Sequence, residues 1–289
     1  MYSNKLYTPL RYPGGKARFA PLVADLIERN GLIGGHYMEP YAGGAGVALE
    51  LLFHDVVGEV HINDADPAVR DFWTAAVEHT DDLIELVQTS PISMDAWHHW
   101  RSVMLGERQA TDVERGFATL FMNRTNRSGI LKGGVIGGKA QAGEYRLDAR
   151  FKREVLAQRL SKIGQHSERI HVYGEDARSL LRRCSSLLPR ASLIYLDPPY
   201  YVKGQGLYRN FYEHDDHVAI AKLLRSRGFT RPWVVSYDNV DQIREMYNFA
   251  RELSYTLNYT AQRRYHGSEV MFFSPRLDLP FETVAPAVA

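Results

Sequence analysis

Four consecutive residues, Asp197-Pro-Pro-Tyr200, follow the apolar run Leu193-Ile-Tyr-Leu196. Such a run reads as a buried strand, so it delivers the Asp197 carboxylate to the strand's C-terminal end. Pro198 and Pro199 then forbid helix and fix an extended turn whose carbonyls local pairing cannot consume. Asp197 and the Pro198 carbonyl could together accept both hydrogens of an exocyclic amine. Its lone pair would then point at an electrophile, with the Tyr200 ring stacked on a base. An Asp-Pro turn beside a core tyrosine is the structural alternative, and it accounts poorly for all four residues at a strand end.

Two other places could hold a nucleotide-like ligand. Tyr37-Met-Glu-Pro-Tyr-Ala-Gly-Gly-Ala-Gly46 sets a glycine-rich turn between a strand and a helix, where backbone can approach a ligand without Cβ interference. It lacks the third glycine of the dinucleotide pattern, which is Leu49 here. A second strand follows and ends in Asn63-Asp64, where a carboxylate could hold a ribose diol. A capping Asp with no ligand is the plainer alternative. In Gly174-Glu-Asp176-Ala177, Asp176 could accept from an adenine amino group, cap the helix that follows, or do both.

The elements that must position these residues alternate between short β-rich runs and helical stretches, which is the α/β signature. The pattern predicts helices at Lys16 to Asn30 and Ala45 to His54, and strands at His36 to Pro40 and Val60 to Asn63. Further on it predicts buried parallel strands at Arg169 to Tyr173, Leu193 to Leu196 and Pro232 to Ser236, with a helix at Arg178 to Leu188. Glu252 to Thr260 and Glu269 to Ser274 should pair as an antiparallel edge. Between His79 and His166 the alternation breaks into helices at Met94 to Leu105 and Asp112 to Met122. A stretch with six glycines between Gly129 and Gly143 follows, reading as turns, close backbone approach or a mobile loop. The expected organisation is a core of residues 1–78 and 167–289 with an inserted, mainly helical domain at 79–166.

At 289 residues, with 45% hydrophobic and 24% charged residues, the chain has room for one such core and one smaller domain. No apolar run is long enough for a bilayer, the N-terminus does not read as a signal peptide, and the lone Cys184 cannot form an internal disulfide. The expectation is a cytoplasmic protein without a membrane partner. Net charge is only +1, yet Arg115 to His166 holds 11 Lys+Arg against 3 Asp+Glu. A block of that kind suits phosphate binding or a solvated basic face.

Taken together these motifs resemble the Dam-type (D12 class) DNA adenine N6-methyltransferases, in which a cofactor motif precedes the recognition domain and Asp-Pro-Pro-Tyr follows it. Arg11-Tyr-Pro-Gly-Gly-Lys16 resembles the family's N-terminal loop, where the aromatic, Tyr12, and Lys16 lie against S-adenosylmethionine. Glu39, Pro40, Tyr41, Ala42, Gly43 and Gly44 resemble its methionine-binding loop, Asp64 its ribose contact, and Asp176 with Ala177 its adenine contact. Asp197, Pro198, Pro199 and Tyr200 resemble its catalytic motif, Asp197 also bordering the cofactor. Phe121-Met-Asn-Arg124 with Gly129-Ile130 resembles the start of its target-recognition hairpin. The resemblance implies a Rossmann-like S-adenosylmethionine-dependent fold with an antiparallel C-terminal edge strand. It also implies a double-stranded DNA substrate whose adenine is flipped out, and DNA contacts from Asn123, Arg124, Arg127, Lys132 and Lys139. No metal is implied, and a cognate restriction endonuclease is a compatible partner. After the Asn-Arg pair this chain has Ser128-Gly-Ile-Leu-Lys132 where the family commonly has Asn-Gly-Leu-x-Arg, so the recognition sequence does not carry over. Lys203, Tyr208, Arg209 and Phe211 follow the motif and could cover the pocket, with loop packing the plainer reading of the aromatics.

Other classes fit less well. Enzymes acting on RNA or on protein glutamine would be expected to carry Asn-Pro-Pro-Tyr, whereas an N4-cytosine enzyme poses the same amine problem and is disfavoured only by the resemblance. A cofactor-retaining DNA-binding module without turnover is disfavoured by the intact motif and the basic block. A nicotinamide dehydrogenase has no use for Asp-Pro-Pro-Tyr, and a phosphate-loop NTPase would need Ser or Thr where Ala17 follows Lys16.

Overall fold

The computed structural model describes residues 7–12, 16–202, 212–259 and 265–280. Pro13, Gly14 and Gly15, and the pocket-covering candidates Lys203, Tyr208, Arg209 and Phe211, lie outside the described residues. The elements run α1 (Ala20–Arg29), β1 (His36–Glu39), α2 (Gly46–Phe53), β2 (Glu59–Asn63), α3 (Pro67–Glu78), α4 (Thr80–Thr89), α5 (Met94–Met104), α6 (Asp112–Thr125) and α7 (Arg153–Gly164). They continue with β3 (Ile170–Tyr173), α8 (Ala177–Leu187), β4 (Ser192–Leu196), α9 (His214–Arg225), β5 (Trp233–Asp238), α10 (Asp241–Met246), β6 (Arg251–Tyr259) and β7 (Tyr265–Phe273). No helix among the described residues is long and apolar enough to cross a membrane.

The strands form one sheet in the order β3-β2-β1-β4-β5-β7-β6. β1 pairs in parallel with β2 and β4, and β4 with β5; β7 pairs antiparallel with both β5 and β6. The chain is therefore an α/β protein whose mostly parallel sheet ends in an antiparallel ribbon, with β6 outermost. Every position of β4 and β5 is buried, as expected of parallel strands covered on both faces. β3 departs from the expected buried strand. It stands first in the order, and only Ile170 is buried. The order reverses between β1 and β4, and at such a point two neighbouring exit loops diverge and leave a crevice at the strands' C-terminal ends. The loops carrying Glu39 to Gly46 and Asp197 to Tyr200 both start there.

Contacts divide the chain into two compact units, one holding Lys16–Ala65 and the chain from Glu175 onward, the other Asp66–Gly174 with the N-terminal segment 7–12. The breaks at 66 and 174 differ from the 79 and 166 read from the loss of alternation, because α3 packs on α6. α6 is buried without interruption from Gly116 to Thr125, so it needs neighbours all round, and α3, α4 and α5 supply them. The α3 contact requires Gly116, where a Cβ would lie 2.4 Å from the Ala75 Cβ and 2.8 Å from the Asp71 carbonyl oxygen.

Two amides give the glycine-rich stretch after α6 a defined path. Asn126 accepts from Trp97 Nε1–H (2.8 Å) and donates to the carbonyls of Ile130 (3.0 Å) and Leu131 (2.8 Å). Gln141 donates to the carbonyls of Ile136 (2.8 Å) and Gly138 (2.6 Å) and accepts from the Leu147 amide (2.9 Å). An isolated antiparallel bridge joins Asn126 to Val135. Asn126→Ala leaves a buried indole N–H and two carbonyls without this partner. It is expected to cost about 2–4 kcal/mol, read as a lower denaturant midpoint; a loss under about 0.5 kcal/mol would remove Asn126 as the anchor.

Candidate active site

Asn63, the last residue of β2, donates to the carbonyls of Pro40 (2.8 Å) and Glu175 (3.1 Å) and accepts from the Glu175 amide (2.8 Å). Its own carbonyl accepts from the Ala42 amide at 2.8 Å. One buried side chain thus binds the loop after β1 to the segment that starts α8. Beside it, Asp64 Oδ2 accepts from the Gly43 amide at 3.0 Å, where φ of 47° suits glycine. Pro40, Ala42, Gly43, Gly44 and Ala177 are buried and Tyr41 is half-buried, its hydroxyl donating to that of Tyr212 at 3.0 Å. Asp176 does cap its helix, accepting from the Ser179 amide at 3.2 Å, and its carboxylate stays exposed. Tyr12 is half-buried and belongs to the helical unit.

Glu39, which ends β1, accepts at Oε1 from the Ala48 amide (2.9 Å) and the Tyr37 hydroxyl (3.1 Å). Burial pushes its carboxyl up to about 8, outweighing the lowering by those two bonds.

The exit from β4 is built around Lys16, which is 6% exposed. Its ammonium lies 2.8 Å from the Tyr200 hydroxyl, 3.2 Å from Asp197 Oδ1 and 3.4 Å from Glu269 Oε2. The Tyr200 hydroxyl donates to Glu269 Oε1, and that of Tyr255 donates to Oε2 at 2.7 Å. Ser236 Oγ donates to Asp197 Oδ1 at 2.7 Å. Asp238 accepts from the amides of Tyr201 (2.8 Å) and Val202 (3.0 Å), so it holds the chain just past the prolines. Burial raises the Asp197 carboxyl above the usual carboxylate range, Lys16 and Ser236 pull it back, and Glu269 adds to the rise.

Ser236, Asp238, Tyr255 and Glu269 were not singled out from sequence. Asp238 has a legible signal, since like Asp64 and Asp197 it lies at or just beyond the C-terminal end of a strand. Glu269 has none. Only the register, Asp238 opposite Glu269 and Glu269 opposite Tyr255, puts the three on one face with Ser236.

In the helical unit two expected DNA contacts are corrected. Asn123 accepts from the Arg11 amide (2.7 Å) and donates to the carbonyls of Arg11 and Gly129 (both 2.9 Å). Arg124, 9% exposed, donates twice to the Pro9 carbonyl, and burial lowers its guanidinium to about 9. Both are buried staples for segment 7–12, not surface groups. Arg159 donates to the Thr8 carbonyl (2.7 Å), and Arg153 to those of Gln88 (2.9 Å) and Ser90 (2.6 Å) around the end of α4. Arg127, Lys132 and Lys139 are exposed, together with Arg146, Arg150 and Lys152.

The model of the D12 class N6 adenine-specific DNA methyltransferases matches residues 12–261. The chain belongs to this family, and it is an adenine-specific DNA methyltransferase. A comparison with curated proteins found no match. Among solved structures it is similar to PH1948 from Pyrococcus horikoshii, a candidate RNA methyltransferase, at 10% identity over 94% of this chain and 90% of that one, with a TM-score of 0.44. It is also similar to precorrin-6y C5,15-methyltransferase from Geobacter metallireducens GS-15, at 7% identity over 86% and 85%, with a TM-score of 0.30.

Because folded Glu39 keeps its proton up to about pH 8 and unfolded Glu39 loses it near 4.5, the folded state binds the extra proton in between. Stability should therefore fall as pH rises from about 4.5 to 8, by on the order of 3–5 kcal/mol relative to Glu39→Gln. Urea unfolding of both proteins across this range measures the difference; parallel pH profiles would mean that Glu39 is ionised when folded.

Proposed function

We propose that the enzyme transfers a methyl group from S-adenosylmethionine to the N6 of an adenine swung out of double-stranded DNA. The observation that carries this reading is the anchoring of Asp197 through one oxygen. Among the described residues its hydrogen bonds, from Ser236 and Lys16, go to Oδ1. That arrangement leaves Oδ2 to accept one hydrogen of an exocyclic amine, and the Pro198 carbonyl would accept the other. Acceptors on both hydrogens favour the pyramidal nitrogen that appears as the bond forms. With its hydroxyl tied to Lys16 and Glu269, Tyr200 has a set ring plane against which a base can stack.

The donor set suits the cofactor. Asp64 and Asp176 place carboxylates at two strand exits and Glu39 a carboxyl group at a third, able to accept from the hydroxyl and amino groups of such a ligand, and the Gly43 turn lets backbone approach it. Asp64 would accept from the ribose hydroxyls, Asp176 from the adenine amino group, and Glu39 with Pro40 to Gly44 would line the methionine end, Lys16 completing the site. Bound there, S-adenosylmethionine would supply an electrophilic methyl carbon. Lys16 would pull the Asp197 carboxyl down against the rise that burial causes.

Single-turnover methyl transfer with enzyme in excess tests the acceptor role. Asp197→Asn should keep weak activity and Asp197→Ala none, since Asn retains one carbonyl acceptor; an Ala variant near wild-type rate would sink the reading. Lys16→Met should move the acid limb of the pH–rate profile to higher pH, because Asp197 loses the cation that lowers it. A limb that stays in place would show that Lys16 does not serve Asp197.

The exposed cations of the segment after α6 support a DNA-contacting role for the helical unit. Arg127→Ala, Lys132→Ala and Lys139→Ala should each weaken DNA binding and flatten its log salt slope by about 1. Arg124→Ala should instead lower stability. A triple variant with unchanged salt dependence would place the DNA elsewhere.

A further inference from the structure

At the other end of the parallel strands, His36 opens β1 and Glu59 opens β2. They are register partners, and His61 is the partner of Met38, two residues further along. Because side chains alternate along a strand, His36, Glu59 and His61 stand on one face of the sheet. His36 Nδ1 lies 2.9 Å from His61 Nε2, and Glu59 Oε1 lies 3.7 Å from His36 Nε2. One ligand atom from each of the three falls within 4.8 Å of the others.

A hydrogen bond between two imidazole nitrogens needs a proton on one of them. Without that proton, two lone pairs converge on the same space. Zinc at about 2.0–2.1 Å from each nitrogen sets them roughly 3.3 Å apart, so the pair need open by only a few tenths of an ångström. The Glu59 side chain is 39% exposed, so its carboxylate has room to turn toward the ion. His61 is buried and rigidly placed, while His36 and Glu59 are half-buried, so an ion can enter from solvent and keep an open position there.

We propose that His36, Glu59 and His61 bind a divalent transition-metal ion, with zinc well matched to two imidazoles and a carboxylate, and that the ion clamps the starts of β1 and β2. On binding, the imidazole that donated carries its proton on its other ring nitrogen instead, so both facing nitrogens can bind the ion. The site shares no residue with the methyl-transfer site and does not depend on that reading.

The test uses the untagged full chain and zinc alone, with affinity measured by chelator competition. One zinc per chain is expected, with a zinc-dependent rise in Tm. His36→Gln and His61→Gln should each lose at least about tenfold in affinity, the loss that even outer-sphere partners of metal ligands produce. His99→Gln, at an exposed histidine of α5, should bind as wild type does. Cobalt substituted for zinc should give visible bands that disappear in His36→Gln. If burial makes His61→Gln fold poorly, half-exposed His36→Gln decides the matter. Absence of zinc binding in the wild type, or wild-type affinity in folded His36→Gln, would overturn the proposal and leave the two histidines as a hydrogen-bonded pair.

Discussion

A buried ammonium between two carboxylates sets the geometry on which the rest of the site depends. Taking Asp197 and Glu269 out of water is costly unless opposite charge and donors replace the lost hydration. Lys16 meets both, Tyr200 and Tyr255 donate to the two oxygens of Glu269, and Ser236 donates to Asp197. The cluster is satisfied only with Tyr200 in one orientation, so the electrostatic requirement becomes a positional one. Glu39, at the end of the adjacent strand, has no such cation and holds its proton near neutrality. Burial thus raises both carboxyls on these neighbouring strands, but only that of Asp197 has a cation pulling it back.

Charge in the helical unit divides in a comparable way. Counted along the chain, Arg115 to His166 looks like one basic surface. In the fold, Arg124, Arg153 and Arg159 turn their guanidinium groups onto backbone carbonyls, and Arg115 pairs with Asp71 and Asp112. Arginine suits that work because its planar fork donates to several carbonyls at once. The cations left for a polyanion cluster between Arg127 and Lys152, on backbone held by Asn126 and Gln141. This division explains why Asn123 and Arg124, next to exposed Arg127, proved to be staples.

Much of the architecture was legible because it is local. Strand and helix periodicity placed β1 to β6, α2 and α8 to within a residue or two, while α1 and β7 start four residues away from the expected positions and α9 and α10 had no expected bounds; the pairing of the last two runs followed from the short turn between them. Prolines and a terminal carboxylate marked the exit from β4 because their backbone restrictions act within a few residues. The loops carrying Glu39, Asp64, Asp176 and Asp197 could be ranked as candidates for the same reason, since each follows or ends a readable strand.

What the sequence by itself determined was therefore the set of elements, the strand exits that bear acids, and through the order of motifs the reaction class. Tertiary structure alone decided which residues serve those exits. Glu269 reaches Tyr200 only because β7 inserts between β5 and β6, and Lys16 reaches Asp197 across more than 180 residues of chain. It also decided that Arg124 points inward, because a guanidinium's fate depends on which carbonyls lie unpaired nearby. Such contacts join residues far apart in the chain, and no period or spacing along one strand or helix encodes them.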